Sequence, residues 1–163
     1  MNLHSLTLVA LLASASAAYA AGDHAHSHAA EAQADDWEIG RPGTAHDVTR
    51  VIEIDMLEPE SGGMAFSPAE LQIERGETVR FVVTNRGLLD HEMVLDTVEG
   101  NREHAEVMMM NPDMQHSDPN AVRLEPGQSA ELIWTFSQQG TFQFACLIPG
   151  HMDAGMHGPL AVN

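Results

Sequence analysis

The chain is poor in cysteine, in positive charge and in long apolar runs. A single cysteine, Cys146, stands among 163 residues, so no disulfide can form within the chain. That leaves the thiol three readings: a small packed apolar residue, a reactive group or a metal ligand. Lys and Arg together number 7 against 24 Asp and Glu, for a formal charge of -17. Such a surface argues against nucleic acid and anionic membranes as partners and suits a metal cation or a basic protein. The one marked apolar run, "LTLVALLASASAAYA", is too short and too rich in Ala and Ser to span a bilayer. Repeats at solenoid or propeller periods are absent.

That run ends in Ala18-Tyr19-Ala20, an A-x-A cleavage signature, although His4 alone stands where a Lys or Arg is usual. Residues 1–20 therefore read as a cleaved secretory signal peptide, and the mature chain is expected to start near Ala21 in the periplasm. Residues 21–47 form a polar leader without apolar periodicity, broken by Gly, Pro and Asp, and are expected to be disordered. His24, His26 and His28 alternate within it. What remains, residues 48–163, is long enough for one domain with its own core.

From Val48 the texture changes. "VTRVIEIDM" alternates Val48, Arg50, Ile52 and Ile54 against Thr49, Val51, Glu53 and Asp55, the period of a strand. "SPAELQIERGETVRFVVTNRG" reads as a short strand, a turn at Gly76 and a strand with Val79, Phe81 and Val83 on one face. "HEMVLDT" is another short strand, "QSAELIWTFSQQGTFQFAC" holds two strands around Gly140, and "GPLAVN" closes the chain. One helix is predicted, from Asn101 to about Met110, stopped by Asn111-Pro112. Short strands separated by glycine turns indicate an all-β antiparallel sandwich or barrel with one short helical insertion.

The lone cysteine lies in "FACLIPGHMDAGMHGPLAV", with four residues between Cys146 and His151 and four between His151 and Met156. A thiolate, an imidazole and a thioether on one loop between two strands form a metal-binding set. His₂Cys with a weak axial Met belongs to copper electron-transfer sites. The loop brings one histidine in that set, so the second must come from another strand end. His91 is the candidate: in "NRGLLDHEMVL" it follows a glycine-containing turn and precedes a strand.

These stretches, together with "LEPGQSAELIWTF", resemble the cupredoxins, the blue or type 1 copper proteins, over residues 48–163. The resemblance implies a Greek-key β-sandwich and one type 1 copper site cycling between Cu(I) and Cu(II). Its ligands would be His91, Cys146 and His151, with Met156 axial. Met152 competes for the axial place, but it directly follows His151, so its side chain would point elsewhere; His157, directly after Met156, would also fall outside. Phe142, Phe144 and Leu147 would keep water from the cysteine sulfur. Many small cupredoxins carry Asn after the first histidine to brace the cysteine loop; this chain has Glu92, which leaves that brace without its usual residue. The resemblance is closest to the periplasmic copper-resistance (CopI-like) cupredoxins, which join such a domain to a histidine-rich leader and extra methionines.

Accessory copper ligands are candidates in two places. One is the leader, with His24, His26 and His28. The other is "HAEVMMMNPDMQH", with Met108, Met109, Met110, Met114 and His116, where thioethers suit Cu(I). At helical spacing, at least one of the three consecutive methionines must instead face inward. Multicopper oxidases and copper nitrite reductases carry histidines beside the blue-site cysteine as a wire to a second copper. Here the neighbours are Ala145 and Leu147, so the chain is not expected to be an enzyme of that kind. Two roles remain. One is a copper-tolerance protein that binds and redox-cycles copper, taking additional copper ions. The alternative is a mobile electron carrier for a respiratory oxidase or reductase, steered by its acidic surface to a basic redox partner.

Overall fold

In "TVRFVVTN" every second residue from Val79 to Val83 is large and apolar, and β-branched and aromatic residues favour the pleated strand. In the computed structural model this stretch is a strand at the centre of a five-stranded sheet, with Val79, Phe81 and Val83 buried on one face as the alternation requires. Residues 37–111 and 117–163 are described. In chain order the elements are β1 (Arg41–Pro42), β2 (Arg50–Leu57), β3 (Ala65–Ser67), β4 (Leu71–Ile73), β5 (Thr78–Asn85), β6 (His91–Asp96), α1 (Val98–Met110), β7 (Ala121–Leu124), β8 (Ser129–Thr135), β9 (Gly140–Ala145) and β10 (His157–Val162).

Two sheets form, in the orders β1-β8-β5-β2-β3 and β4-β10-β9-β6-β7. The expected β-sandwich with one helical insertion forms, and its mostly antiparallel ladders include two parallel pairs. β2 runs parallel to β5, and β4 parallel to β10. Parallel neighbours need a crossover between them, and β3 and β4 supply it, since β3 stays in the first sheet while β4 lies in the second. The main core fills the space between the sheets. It is built on Ile54, Phe81, Trp134, Phe136 and Phe144, with Phe66 edge-on to Phe144 at 5.1 Å between ring centroids.

The folded domain begins before the boundary expected at Val48. Ile39 is buried in the main core, Trp37 stands edge-on to Trp134 at 5.9 Å, and β1 pairs with β8. The expected disordered leader is therefore too long at its C-terminal end. Trp37 and Ile39, two apolar residues followed by Gly and Pro, carry no periodicity, and only the docked partner makes them part of the core.

α1 begins three residues earlier than predicted, at Val98, because Thr97 caps it: its Oγ1 accepts the N–H of Gly100 at 2.9 Å. Gly100 lies in the first turn, although glycine is a poor helix former. A Cβ there would lie 2.7 Å from the Asp96 carboxyl carbon, so any larger residue would have to push that side chain aside. The helix lies on the outer face of the second sheet, where Met108 packs with Val94, Ala145 and Leu147 as a second buried cluster. Among the described residues no helix is long and apolar enough to cross a membrane.

Candidate metal centre

β6 opens with His91, and the strand is buried along nearly its whole length because β7 and β9 flank it and α1 covers its outer face. Strand alternation sends His91, Met93 and Leu95 to one side and Glu92 and Val94 to the other. His91 is completely buried and is held by its ladder position opposite Leu124. The turn before it is held by two side chains. Asn85 donates through Nδ2 to the carbonyls of Leu89 (2.7 Å) and Leu124 (2.9 Å), and its Oδ1 accepts from Gly87 N at 2.9 Å. Glu58, just past β2, accepts the backbone N–H of Leu88 at 2.8 Å and of Leu89 at 3.3 Å. Its Oε1 also lies 2.8 Å from Nε2 of His91.

On β9 the same alternation points Phe142, Phe144 and Cys146 into the core between the sheets, and Ala145 and Leu147 toward α1. The loop after Cys146 closes on itself through backbone bonds. Cys146 N donates to Met156 O, Met156 N to His151 O and His151 N to Ile148 O, each at 3.0 Å. Gly150 and Gly155 adopt positive φ, 85° and 103°, which only glycine takes without strain. Met64 N donates to Ala154 O at 3.0 Å and buttresses the loop from the β2–β3 connection.

Strand end and loop meet at three donors. His91 Nδ1 lies 3.2 Å from His151 Nδ1, and Cys146 Sγ lies 3.4 Å from the same His151 atom. All the donor atoms fall within 4.8 Å of one another. Glu58 meets His91 at Nε2, while Nδ1 is the ring nitrogen that faces the cluster. Two imidazole nitrogens and a sulfur, with no carboxylate oxygen in the group, form a donor set for a soft or borderline ion such as copper or zinc, not for calcium or magnesium.

Burial holds the metal-free thiol and the His151 imidazole neutral. Burial, aided by the negative charge of Glu92, pushes the Cys146 thiol up to about 12, so the metal-free thiol keeps its proton at neutral pH. The N–H groups of Glu92 and Ile148 oppose that rise, and the first reaches Sγ at 3.4 Å. Burial and the neighbouring His91 lower His151, keeping its imidazole neutral and able to donate a lone pair. Burial alone would raise Glu58, but the hydrogen bonds from Leu88, His91 and Leu89 outweigh it and hold the carboxyl below its ordinary value.

The brace in question at Glu92 is present in another form. The β6–β9 ladder ends at Val94 opposite Ala145. Beyond it, the Glu92 carboxylate oxygen accepts the N–H of Leu147 at 2.9 Å, so the side chain continues the tie where backbone pairing stops. Met156 is fully buried in the same core cluster as Cys146, whereas Met152 packs with the outer cluster under α1. His157 is exposed on β10. Phe142 and Phe144 are buried in the same inner cluster as Cys146, and Leu147 in the outer cluster. Of the accessory candidates, Met108 is buried core, while Met109 and Met110 are exposed. His24, His26, His28, Met114 and His116 lie outside the described residues. Glu58 and Asn85 escaped the sequence reading. Asn85 precedes a turn glycine by two residues, a recognisable turn signal, but nothing local marks Glu58, which sits 33 positions before the histidine it touches.

A profile described as copper binding proteins, plastocyanin/azurin family, matches residues 54–163. The chain is 46% identical to the copper-resistant cuproprotein CopI of Rubrivivax gelatinosus over 159 residues, covering 97% of this chain and 94% of that protein. It is 37% identical to the protein of the same name from Pseudomonas aeruginosa over 154 residues, covering 77% and 82%. Among solved structures, reduced auracyanin from Roseiflexus castenholzii superposes with a TM-score of 0.58 at 24% identity, covering 71% of this chain and 97% of that one, which supports the fold.

Proposed function

The chain belongs to the plastocyanin/azurin family of copper-binding proteins, and from that premise we propose that His91, Cys146 and His151 hold one type 1 copper ion with Met156 as the axial donor, in a periplasmic protein that contributes to copper tolerance. The observation that carries the ligand assignment is the convergence of one thiol and two imidazoles, from a strand end and a loop, within 4.8 Å. Bound there, copper supplies one-electron exchange between Cu(I) and Cu(II). The protein's own part is positional. His91 stays fixed by β6, and the loop closes His151 and Met156 around Cys146 through its backbone bonds. The packed core on one side and Leu147 on the other exclude water from the sulfur. Cys146 must release its proton to bind, and the Glu92 N–H then has an anion to donate to.

The likeness to two proteins named copper-resistant cuproproteins supports the physiological part. The exported copper-tolerance reading also takes residues 1–20 as a cleaved signal and the leader histidines, with Met109, Met110, Met114 and His116, as accessory copper ligands. The neighbours of Cys146 are Ala145 and Leu147, which supports a chain without an internal wire to a second catalytic centre. Copper titration of the processed protein, with visible spectra and metal counting, tests the site. An intense thiolate-to-copper band at the first equivalent is expected, with further copper binding beyond it. A host lacking the gene should lose copper tolerance; unchanged tolerance would overturn the physiological reading. The formal charge of -17 favours a second reading, electron carriage to a basic partner. Fast, salt-sensitive electron exchange with such a partner, and a single copper per chain, would select it.

A further inference from the structure

We propose that Glu58 is a positioning residue for the copper centre: it locks His91 as the Nε2–H tautomer and places a fixed negative charge behind that ligand, weighting the centre toward Cu(II). The inference rests on the copper reading and concerns a residue outside the ligand set.

Glu58 has no such task by default. It lies beyond the end of β2, yet its carboxylate turns back to meet three donors at once: Leu88 N, Leu89 N and His91 Nε2. Three hydrogen bonds hold the group still. The carboxylate lies close against the turn, since a Cβ on Gly87 would come within 2.6 Å of Glu58 Oε2. His91 is fully buried, while the Glu58 side chain is 24% exposed. Among the described residues, His91 is the only ion-pair partner that Glu58 has. The negative charge is thus compensated by the histidine and whatever that histidine binds.

Two consequences follow from elementary chemistry. An acceptor on Nε2 fixes which nitrogen carries the proton, so Nδ1, which faces Cys146 and His151, keeps its lone pair. A neutral acceptor such as a backbone carbonyl would do as much. A carboxylate adds basicity to the ring and a negative charge near the metal. That charge attracts the doubly positive ion more strongly than the singly positive one.

The variant Glu58→Gln separates the two effects, because an amide oxygen can still accept the His91 proton but carries no charge. In the copper-loaded protein, the thiolate-to-copper band should persist in E58Q while the ratio of Cu(II) to Cu(I) affinity falls at least tenfold, a rise of about 59 mV in midpoint potential for a one-electron couple. An unchanged potential with the band retained would overturn the charge effect. Nitrogen-15 NMR of the metal-free wild-type protein reads the tautomer without any variant. A proton on Nε2 of His91 is expected, and a proton on Nδ1 would overturn the positioning role even if E58Q did not fold. A wild-type protein without the band would bring down the copper reading and the charge effect with it, while the tautomer measurement would still decide the positioning role.

Discussion

β6 and β9 present two buried faces, and they do different work. The inward face carries His91, Phe144 and Cys146 into the core between the sheets. The outward face carries Val94, Ala145 and Leu147 under α1, with Met108 and Met152. Cys146 and Leu147 are consecutive and almost equally buried, and Met152 and Met156 share one loop, yet each pair is divided between the faces. Burial therefore does not distinguish a ligand from a packing residue here. The strand period separates Cys146 from Leu147, and the course of the loop separates Met156 from Met152.

The largest test of that division is at Cys146. Cys146→Ser should abolish the thiolate-to-copper band altogether, because the oxygen that replaces sulfur cannot give the charge transfer. Leu147→Ala, one position on, should keep the band and lose about 3–5 kcal/mol of stability, measured by denaturant unfolding, since it opens a cavity under α1. A surviving band in the serine variant would remove the inward face from the chemistry.

Next comes the pH dependence of the metal-free protein. The Cys146 thiol is raised from 9.0 to about 12 by burial and by Glu92, so the folded chain holds this proton more tightly than the unfolded chain. The sign follows from linkage. The contribution to stability is complete below pH 9 and is lost as pH climbs toward 12. The thermal midpoint of the apo-protein should fall across that window, and Cys146→Ala, which has no thiol to titrate, should fall less. Equal slopes would show that the thiol does not sense its burial.

On the outward face the test is the methionine run. Met108 is 1% exposed and Met109 is 59% exposed. Met108→Ala should cost about 2–5 kcal/mol, and Met109→Ala should stay within about 0.5 kcal/mol, both read by denaturant unfolding. If the costs were equal, α1 would not be docked through Met108.

Much of this was legible in the sequence, and for a physical reason. The alternation of Val79, Phe81 and Val83 and the order His91, Cys146, His151 and Met156 are local patterns, and each strand or loop expresses its own. The parts that were missed depend on pairing across the fold. Ile39 becomes core only because β1 finds β8. The parallel β2–β5 pair is decided by where β3 and β4 send the chain. Glu92 looked like a lost brace because the sequence does not show that its carboxylate would meet Leu147 N. Glu58 had no signal, since the histidine it serves arrives from another strand.

The smallest expected effect divides the two loop methionines. Met156 lies in the inward cluster with Cys146 and is tied to it by the Cys146 N to Met156 O bond. A long axial thioether bond contributes little to holding copper but tunes the centre's potential. Met156→Leu keeps nearly the same apolar volume, so the protein should still fold and load one copper through Cys146 and the two histidines. Its visible bands and midpoint potential should shift, because leucine offers no lone pair. Met152→Leu makes the same change of shape in the outward cluster, away from Cys146, and should leave both spectrum and potential as they are. If instead Met152→Leu moved the bands and Met156→Leu did not, the axial donor would be Met152, and the loop would have to turn its side chains opposite to the sorting seen between the two faces.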